Sequence, residues 1–478
     1  MSRQAITVGG LQVVHAAAAT LGVVLLARLL SKEDYGRYVY LLTLASLVPL
    51  VAGLGVEHVL VMRGSRCGAE VAALFGKAII MRLLAVFVAA VVGVLLWVCA
   101  TAGDVLASVM MFVGATIAAF PNPLYLAVYR VHGVHLRPWV LGLIGPLTFI
   151  AYLLVIGLWF HDAVSLEVAA AGFMASHLLS ALAIFPDVYA LGRPKFHSSR
   201  FGEDTRLGLT FASSQAIDYA SARLDVFALQ YLLGPAALAV YAAAQRIIGA
   251  LQIIPSSFHI TELPEFHRST GDRDALKRRF RSLRGAMLDT SLLLAGGITM
   301  FAPEIVRLVY GDKYLGAAGP LILLALGNVL VFLNYPYYML AEAVDRIGAR
   351  LMTKIVAAGS SMLAFVLLIP AVGAAGAAGA LIVGNTIFVG GLHLITRKHA
   401  GGIRELLFDA RALPVVVAAA GAAWLPLEFG RTAVNLTIAV VLYMAVAFGL
   451  GLALRLPSLR VIASMLPRSE RERLERAS

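Results

Sequence analysis

Charge is scarce in this sequence. Asp, Glu, Lys and Arg make up 14% of the 478 residues, where a soluble globular domain carries about 25%. A water-soluble fold is excluded on that ground. Cysteine is scarcer still. Cys67 and Cys99 are too few for a disulfide framework and are expected as free thiols. No phosphate-binding glycine loop occurs, which argues against an ATPase. No His, Cys or Asp cluster has metal-ligand spacing. No extended polar block is long enough to fold as a separate domain. With no catalytic constellation and no implied cofactor, the chain reads as something other than an enzyme.

Apolar sequence is what it has in abundance, at 60% hydrophobic residues. Runs of about 20 apolar residues recur, each long enough to cross a ~30 Å hydrocarbon core. The expected fold class is an all-α polytopic membrane protein of about fourteen spans. These fall near 7–30, 39–62, 78–100, 104–129, 139–160, 164–190, 207–233, 236–258, 286–309, 316–342, 350–370, 374–395, 412–428 and 433–454. The first run has no small-residue cleavage signature and reads as a retained span.

The basic residues test this count. If both termini are cytoplasmic, the inner-face segments hold 31 of the 39 Lys and Arg residues. The outer connections hold only Lys32, Arg37, Lys313 and Arg431. A missed span would invert the bias downstream, so the asymmetry sets both orientation and an even span count. The net charge of +12 is therefore a topology signal, and nucleic acid is not an expected partner. The outer connections are mostly short and leave no room for a glycosyltransferase or ligase site. The inner linker from Asp272 to Arg284 reads as an amphipathic surface helix against anionic headgroups.

The chain also resembles itself. Leu29 and Leu30 precede Tyr38 as Leu232 and Leu233 precede Tyr241, with equal gaps. Gly103-Asp104 and Gly311-Asp312 end comparable spans, and Pro121 and Pro336 each stand twelve residues before a glycine. Two six-span halves with the same orientation follow, a transporter architecture with the substrate between lobes. The expected organisation is an N-terminal lobe at 1–191, a cytoplasmic linker at 192–206 and a C-terminal lobe at 207–399. Two additional spans at 400–455 and a basic cytoplasmic tail at 456–478 complete it.

Charges inside spans cost roughly 2.5–3.5 kcal/mol each on insertion scales, so those present need a reason. Asp218, Arg223 and Asp225 fall near mid-depth in the seventh span and Arg246 in the eighth, with Gln245 beside it. Two readings stay open. The arginines pair with Asp218 or Asp225 and join the two spans, or they face a wet cavity and hold an anionic headgroup, as a guanidinium fork does phosphate. Arg28, near the outer end of the first span, either snorkels or lines a cavity. Glu57 pairs with Arg63, and Glu304 with Arg307 three residues on. Asp289 is expected near the inner face and solvated. His15, His177 and His393 read as structural, and Asp187 and Glu342 carry no assigned role. Pro121, Pro123 and Pro336 must kink the fourth and tenth spans and are hinge candidates.

The stretch Leu25-Leu26-Ala27-Arg28-Leu29-Leu30-Ser31-Lys32-Glu33-Asp34-Tyr35-Gly36-Arg37-Tyr38 resembles the opening of the bacterial polysaccharide transporter family, the Wzx-type flippases of the MATE-like superfamily. Val309-Tyr310-Gly311-Asp312-Lys313-Tyr314 and the run from Leu368 to Gly379 resemble its second half. The resemblance implies a multi-pass protein of the bacterial inner membrane, in lipopolysaccharide or exopolysaccharide assembly. It implies an alternating-access flippase for an undecaprenyl-pyrophosphate-linked oligosaccharide. Arg28 and Arg246, with Arg223, would hold the pyrophosphate. Apart from the resemblance, Asp218 and Asp225 are candidates to bind a coupling ion, H⁺ or Na⁺, as a cation-coupled transporter of this fold would need. Partners would be membrane lipid, the polyprenyl-linked sugar and glycan-assembly enzymes. A cation-coupled drug exporter of the same fold is the rival; a membrane polymerase or ligase is disfavoured by the short outer loops.

Overall fold

The computed structural model describes residues 3–47, 105–119, 136–159, 164–191, 222–400 and 412–454, with isolated positions between them. Cys67, Cys99, Glu57, Gly103, Pro121, Pro123 and Asp218 lie outside the described residues, as do the linker at 192–206 and most of the tail. Among the described residues, nine helical stretches are long and apolar enough to cross a bilayer, and two shorter apolar helices accompany them. They coincide with eleven of the fourteen expected spans. Outward-facing apolar side chains such as Trp159 (73% exposed), Leu308 (77%) and Phe429 (85%) are tolerable only against lipid. The protein is an all-α polytopic membrane protein, and helices suit lipid because they satisfy backbone polar groups within one segment.

Two compact units comprise Met1–Ala242 and Ala243–Ser478. The first opens with α1 (Arg3–Leu29) and α2 (Lys32–Ala45). Ser31 caps α2: its hydroxyl accepts the Asp34 N–H at 3.0 Å, and Glu33 and Asp34 complement the helix dipole. This cap starts the helix seven residues before the apolar run at 39–62. Then come α3 (Val105–Ala119), α4 (Arg137–Gly142), α5 (Ile144–Trp159) and α6 (Leu166–Leu191). The helix α7 (residues 222–233) ends at Gly234, whose φ of 81° only glycine adopts readily. Pro235 then begins α8 (Pro235–Leu251), where its missing N–H costs nothing.

The expected span 236–258 lies within one apolar stretch, Pro235–Arg268, whose helix is interrupted at a single residue. α8 stops at Leu251, and α9 (Ile253–Arg268) restarts after Gln252. Pro255 supplies the reason, because it cannot donate back to Leu251 and is tolerated only in a first turn. The segment expected as a separate surface helix is instead the start of α10 (Arg273–Tyr310), continuous with the ninth span. It is amphipathic, but Leu276, Phe280, Leu283 and Arg284 are buried. The backbone of α10 breaks at Phe301 (φ −106°, ψ 18°), two residues before Pro303. By contrast α11 (Ala318–Ala343) runs through Pro336 as one helix.

A 3₁₀ turn (Asp312–Ala317) separates α10 from α11. The hairpin of α12 (Ile347–Val372) and α13 (Ala374–Ala400) is tight because Gly376 lies under the Leu368 carbonyl, where a Cβ would sit 2.2 Å away. In lipid, such close van der Waals packing replaces the hydrophobic drive. α14 (Ala412–Glu428) and α15 (Ala433–Ala453) pack on α10, and the Tyr443 hydroxyl donates to Leu293 O at 2.7 Å. The short thirteenth span thus forms as expected, with Pro414 in its first turn and Pro426 in its last.

Candidate functional site

The charged residues of the seventh span begin one element. Arg223 is half-buried on α7, with its guanidinium carbon 5.8 Å from the Tyr219 ring centroid. Tyr219 in turn donates to Thr43 O at 3.1 Å and pairs with the Ser46 hydroxyl, which ties this end of the helix to α2. Among the described residues no carboxylate lies within ion-pair reach of Arg223. Asp225, two residues on, faces another side of α7.

Asp225 is 1% exposed. One carboxylate oxygen accepts the Val226 N–H at 2.8 Å, and the other accepts the Tyr241 hydroxyl at 2.7 Å. A buried carboxylate is tolerable in such company. The bond joins α7 to α8 across the Gly234 turn. The repeat had marked Tyr241 through its match to Tyr38, and both tyrosines are buried.

The turns of this unit meet closely. A Cβ on Gly36 would lie 1.8 Å from Pro235 O, so the α1–α2 turn fits the α7–α8 turn only without a side chain there. Tyr40 and Phe227 pack edge to face nearby, at 6.1 Å. Arg28 is exposed on the last turn of α1, where its charge complements the helix dipole.

Gln245 and Arg246 belong to the second unit, both half-buried on α8. One turn and a half further, Gln252 donates to Asn328 at 2.5 Å. The proposed substrate residues thus divide between the units, with Arg28 and Arg223 in the first and Gln245 and Arg246 in the second.

Several charges sit elsewhere than expected. Glu304 pairs with Arg431 and Arg307 with Asp312 at 2.7 Å, instead of with each other. Helix α10 turns Glu304 toward the α14–α15 connection, where it is 10% exposed, while Arg307 stays at the rim. Asp289 is fully buried, not solvated. Arg284 is also fully buried; it donates to Ala400 O at 3.4 Å and lies over the Phe280 ring. Asp187 accepts from Tyr129 at 2.5 Å and from Arg137 at 3.1 Å. Glu342 faces Arg350 at 3.7 Å. The three histidines make ring contacts with Trp139, Phe173 and Tyr337, and His393 also hydrogen-bonds Tyr337 at 3.2 Å. Among the described residues no group of His, Cys, Asp and Glu could hold a metal ion.

Solved structures share this fold. An inward-closed lipid II flippase MurJ is similar with a TM-score of 0.74 at 12% identity, over 93% of this chain and 99% of that one. An inward-facing multidrug-resistance MATE transporter of the MOP superfamily is similar with a TM-score of 0.64 at 17% identity, over 80% and 94%. The Vibrio cholerae MATE transporter VcmN, in its bent form, is similar at 0.53 and 14% identity, over 85% and 99%. No curated protein matches the chain in sequence. A family model described as "Polysaccharide biosynthesis protein" matches residues 2–268, more than half of the chain. With the opening motif, the helical layout and this match in agreement, the chain belongs to the polysaccharide biosynthesis protein family.

Proposed function

We propose that the protein moves a polyprenyl-pyrophosphate-linked oligosaccharide from the inner to the outer leaflet of the bacterial cytoplasmic membrane by alternating access. Both termini lie on the cytoplasmic side. The lobes are 1–191 and 207–399, and the two C-terminal spans flank the lipid tail. The observation that carries this reading is Arg223. It is a half-buried guanidinium against an aromatic face, with no carboxylate among the described residues to neutralise it. Keeping such a charge within a span is costly, and a pyrophosphate offers it a bidentate counter-charge. Arg28, Gln245 and Arg246 are the other residues assigned to the anionic substrate, and Pro336 is assigned as a hinge.

The exporter of cationic drugs is less well served. It needs a carboxylate open to the cation, and both oxygens of Asp225 already accept hydrogen bonds from Tyr241 and Val226. Asp218, outside the described residues, is the remaining candidate for the coupling ion.

An accumulation assay tests the proposal. Deleting the gene should leave lipid-linked repeat units on the inner leaflet. Arg246→Ala should fail to restore export, while Arg246→Lys restores it in part. Normal glycan export with altered sensitivity to cationic dyes would replace this reading with the exporter.

A further inference from the structure

A cluster on α9, α11 and α12 lies within the second unit and includes none of the residues assigned to the anionic substrate. Its centre is Tyr338. The His259 ring of α9 meets Tyr338 edge to face at 5.5 Å and Tyr335 at 6.1 Å. Arg350 of α12 places its guanidinium carbon 3.9 Å over the Tyr338 ring. Glu342, one turn beyond Tyr338 on the same face of α11, stands 3.7 Å from Arg350 Nη1. That distance is an ion pair without a hydrogen bond.

The turn between α11 and α12 explains how Arg350 comes back to Tyr338. Asp345 takes φ 56°, Arg346 N–H donates to Ala341 O at 2.8 Å, and Asp345 N–H donates to Glu342 O at 3.1 Å. This is a Schellman closure with aspartate where glycine is usual. It reverses the chain in three residues and aims the first turn of α12 at α11.

The cluster is incompletely bonded. Among the described residues, His259 Nε2 and Arg350 Nη1 are both buried without hydrogen-bond partners, and both side chains pack against the Tyr338 ring. The other charged groups nearby are committed. Glu262 and Glu265 on α9 face Arg279 of α10 at 3.2 and 3.5 Å, and Glu265 also holds Arg268. Lys354 stands one turn beyond Arg350, and Arg346 lies exposed in the turn. His393 of α13 is bonded to Tyr337, on another face of α11.

We propose that His259 is a proton-binding site coupled to movement of the α11–α12 hairpin against α9. A proton taken up on Nε2 makes an N–H that donates to Glu342, and the imidazolium repels Arg350. Glu342 then leaves Arg350 for His259, and α12 is released from Tyr338. Loss of the proton restores the present arrangement. No bond other than N–H forms or breaks. That this exchange drives transport rests on the flippase reading; the exchange itself does not.

The full-length protein in liposomes tests the site. Cys67 and Cys99 are replaced by serine. Spin labels are placed at Thr270→Cys and Gly348→Cys, both exposed, with open space around Gly348. Pulsed dipolar spectroscopy between pH 5 and 8.5 should show two α9–α12 distance populations. Their ratio should change about tenfold per pH unit around one midpoint. His259→Gln should hold the high-pH population throughout, and Glu342→Gln should lose the low-pH one. An unchanged titration in His259→Gln would overturn the proposal, as would a single distance at every pH. Monodisperse elution of both variants shows that they are folded. Should the distances titrate as expected while no lipid-linked sugar crosses the bilayer, the site stands and the flippase reading falls. Sugar movement with a proton dependence unaffected by His259→Gln gives the reverse.

Discussion

Tyr241 donates its hydroxyl to Asp225 at 2.7 Å, and the two residues are buried on either side of the Gly234 turn. The bond fixes the angle between α7 and α8, and so the direction in which Arg223 projects. Tyr241→Phe removes the donor and leaves a buried carboxylate short of a partner. A loss of about 1–3 kcal/mol follows, read as a lowered melting temperature of the detergent-solubilised protein. Restoring the loss with a second change, Asp225→Asn, would show that the stranded charge is the cause.

Gly36 and Pro235 bring the α1–α2 and α7–α8 turns together. The proposed alternating access has these turns move against each other. Gly36→Val should push the two turns apart, with a cost of about 1–3 kcal/mol for the overpacked contact. Linking Tyr40→Cys to Phe227→Cys with a short reversible cross-linker should stop transport, and reductant should restore it. The ring contact there is 6.1 Å in the present state. Undiminished transport by the cross-linked protein would contradict the gating role of these turns.

Asp272 caps α10 from outside the span. Its carboxylate accepts the Ala275 N–H and the Asp274 N–H, and these bonds hold its pKa below the ordinary carboxylate value. The sign follows directly. The cap contributes fully above the unfolded pKa and is lost as pH falls through the depressed one. Amide exchange at Asp274 and Ala275 should therefore quicken only in acid, and Asp272→Ala should exchange fast at every pH.

The span layout was legible because hydropathy and inner-face charge are properties of composition at the length of a helix. The restarts were less so. The α8–α9 break at Gln252 lies inside an apolar run, and only Pro255 hinted at it. The kink in α10 arises at Phe301, just before Pro303, whereas the helix through the hinge candidate Pro336 stays continuous. Charge pairing was read from nearest neighbours in sequence, which failed for Glu304 because its partner, Arg431, is 127 residues away. Arg284 and Asp289 looked peripheral because they lie near a span boundary, but the continuous helix carries them into packed protein. The His259 cluster escaped notice for a related reason. Tyr335 and Tyr338 lie close to Pro336 in sequence, while the partners of Tyr338 come from two other helices.

The central claim is that Arg223 holds a passing pyrophosphate. The most direct measurement is the rate at which purified protein in liposomes moves a fluorescent polyprenyl-pyrophosphate sugar between leaflets. A charged hydrogen bond is worth about 1.5–3 kcal/mol, so Arg223→Ala should slow the rate roughly 10- to 150-fold, with Arg223→Lys recovering part of it. Wild-type flipping by Arg223→Ala would contradict the account.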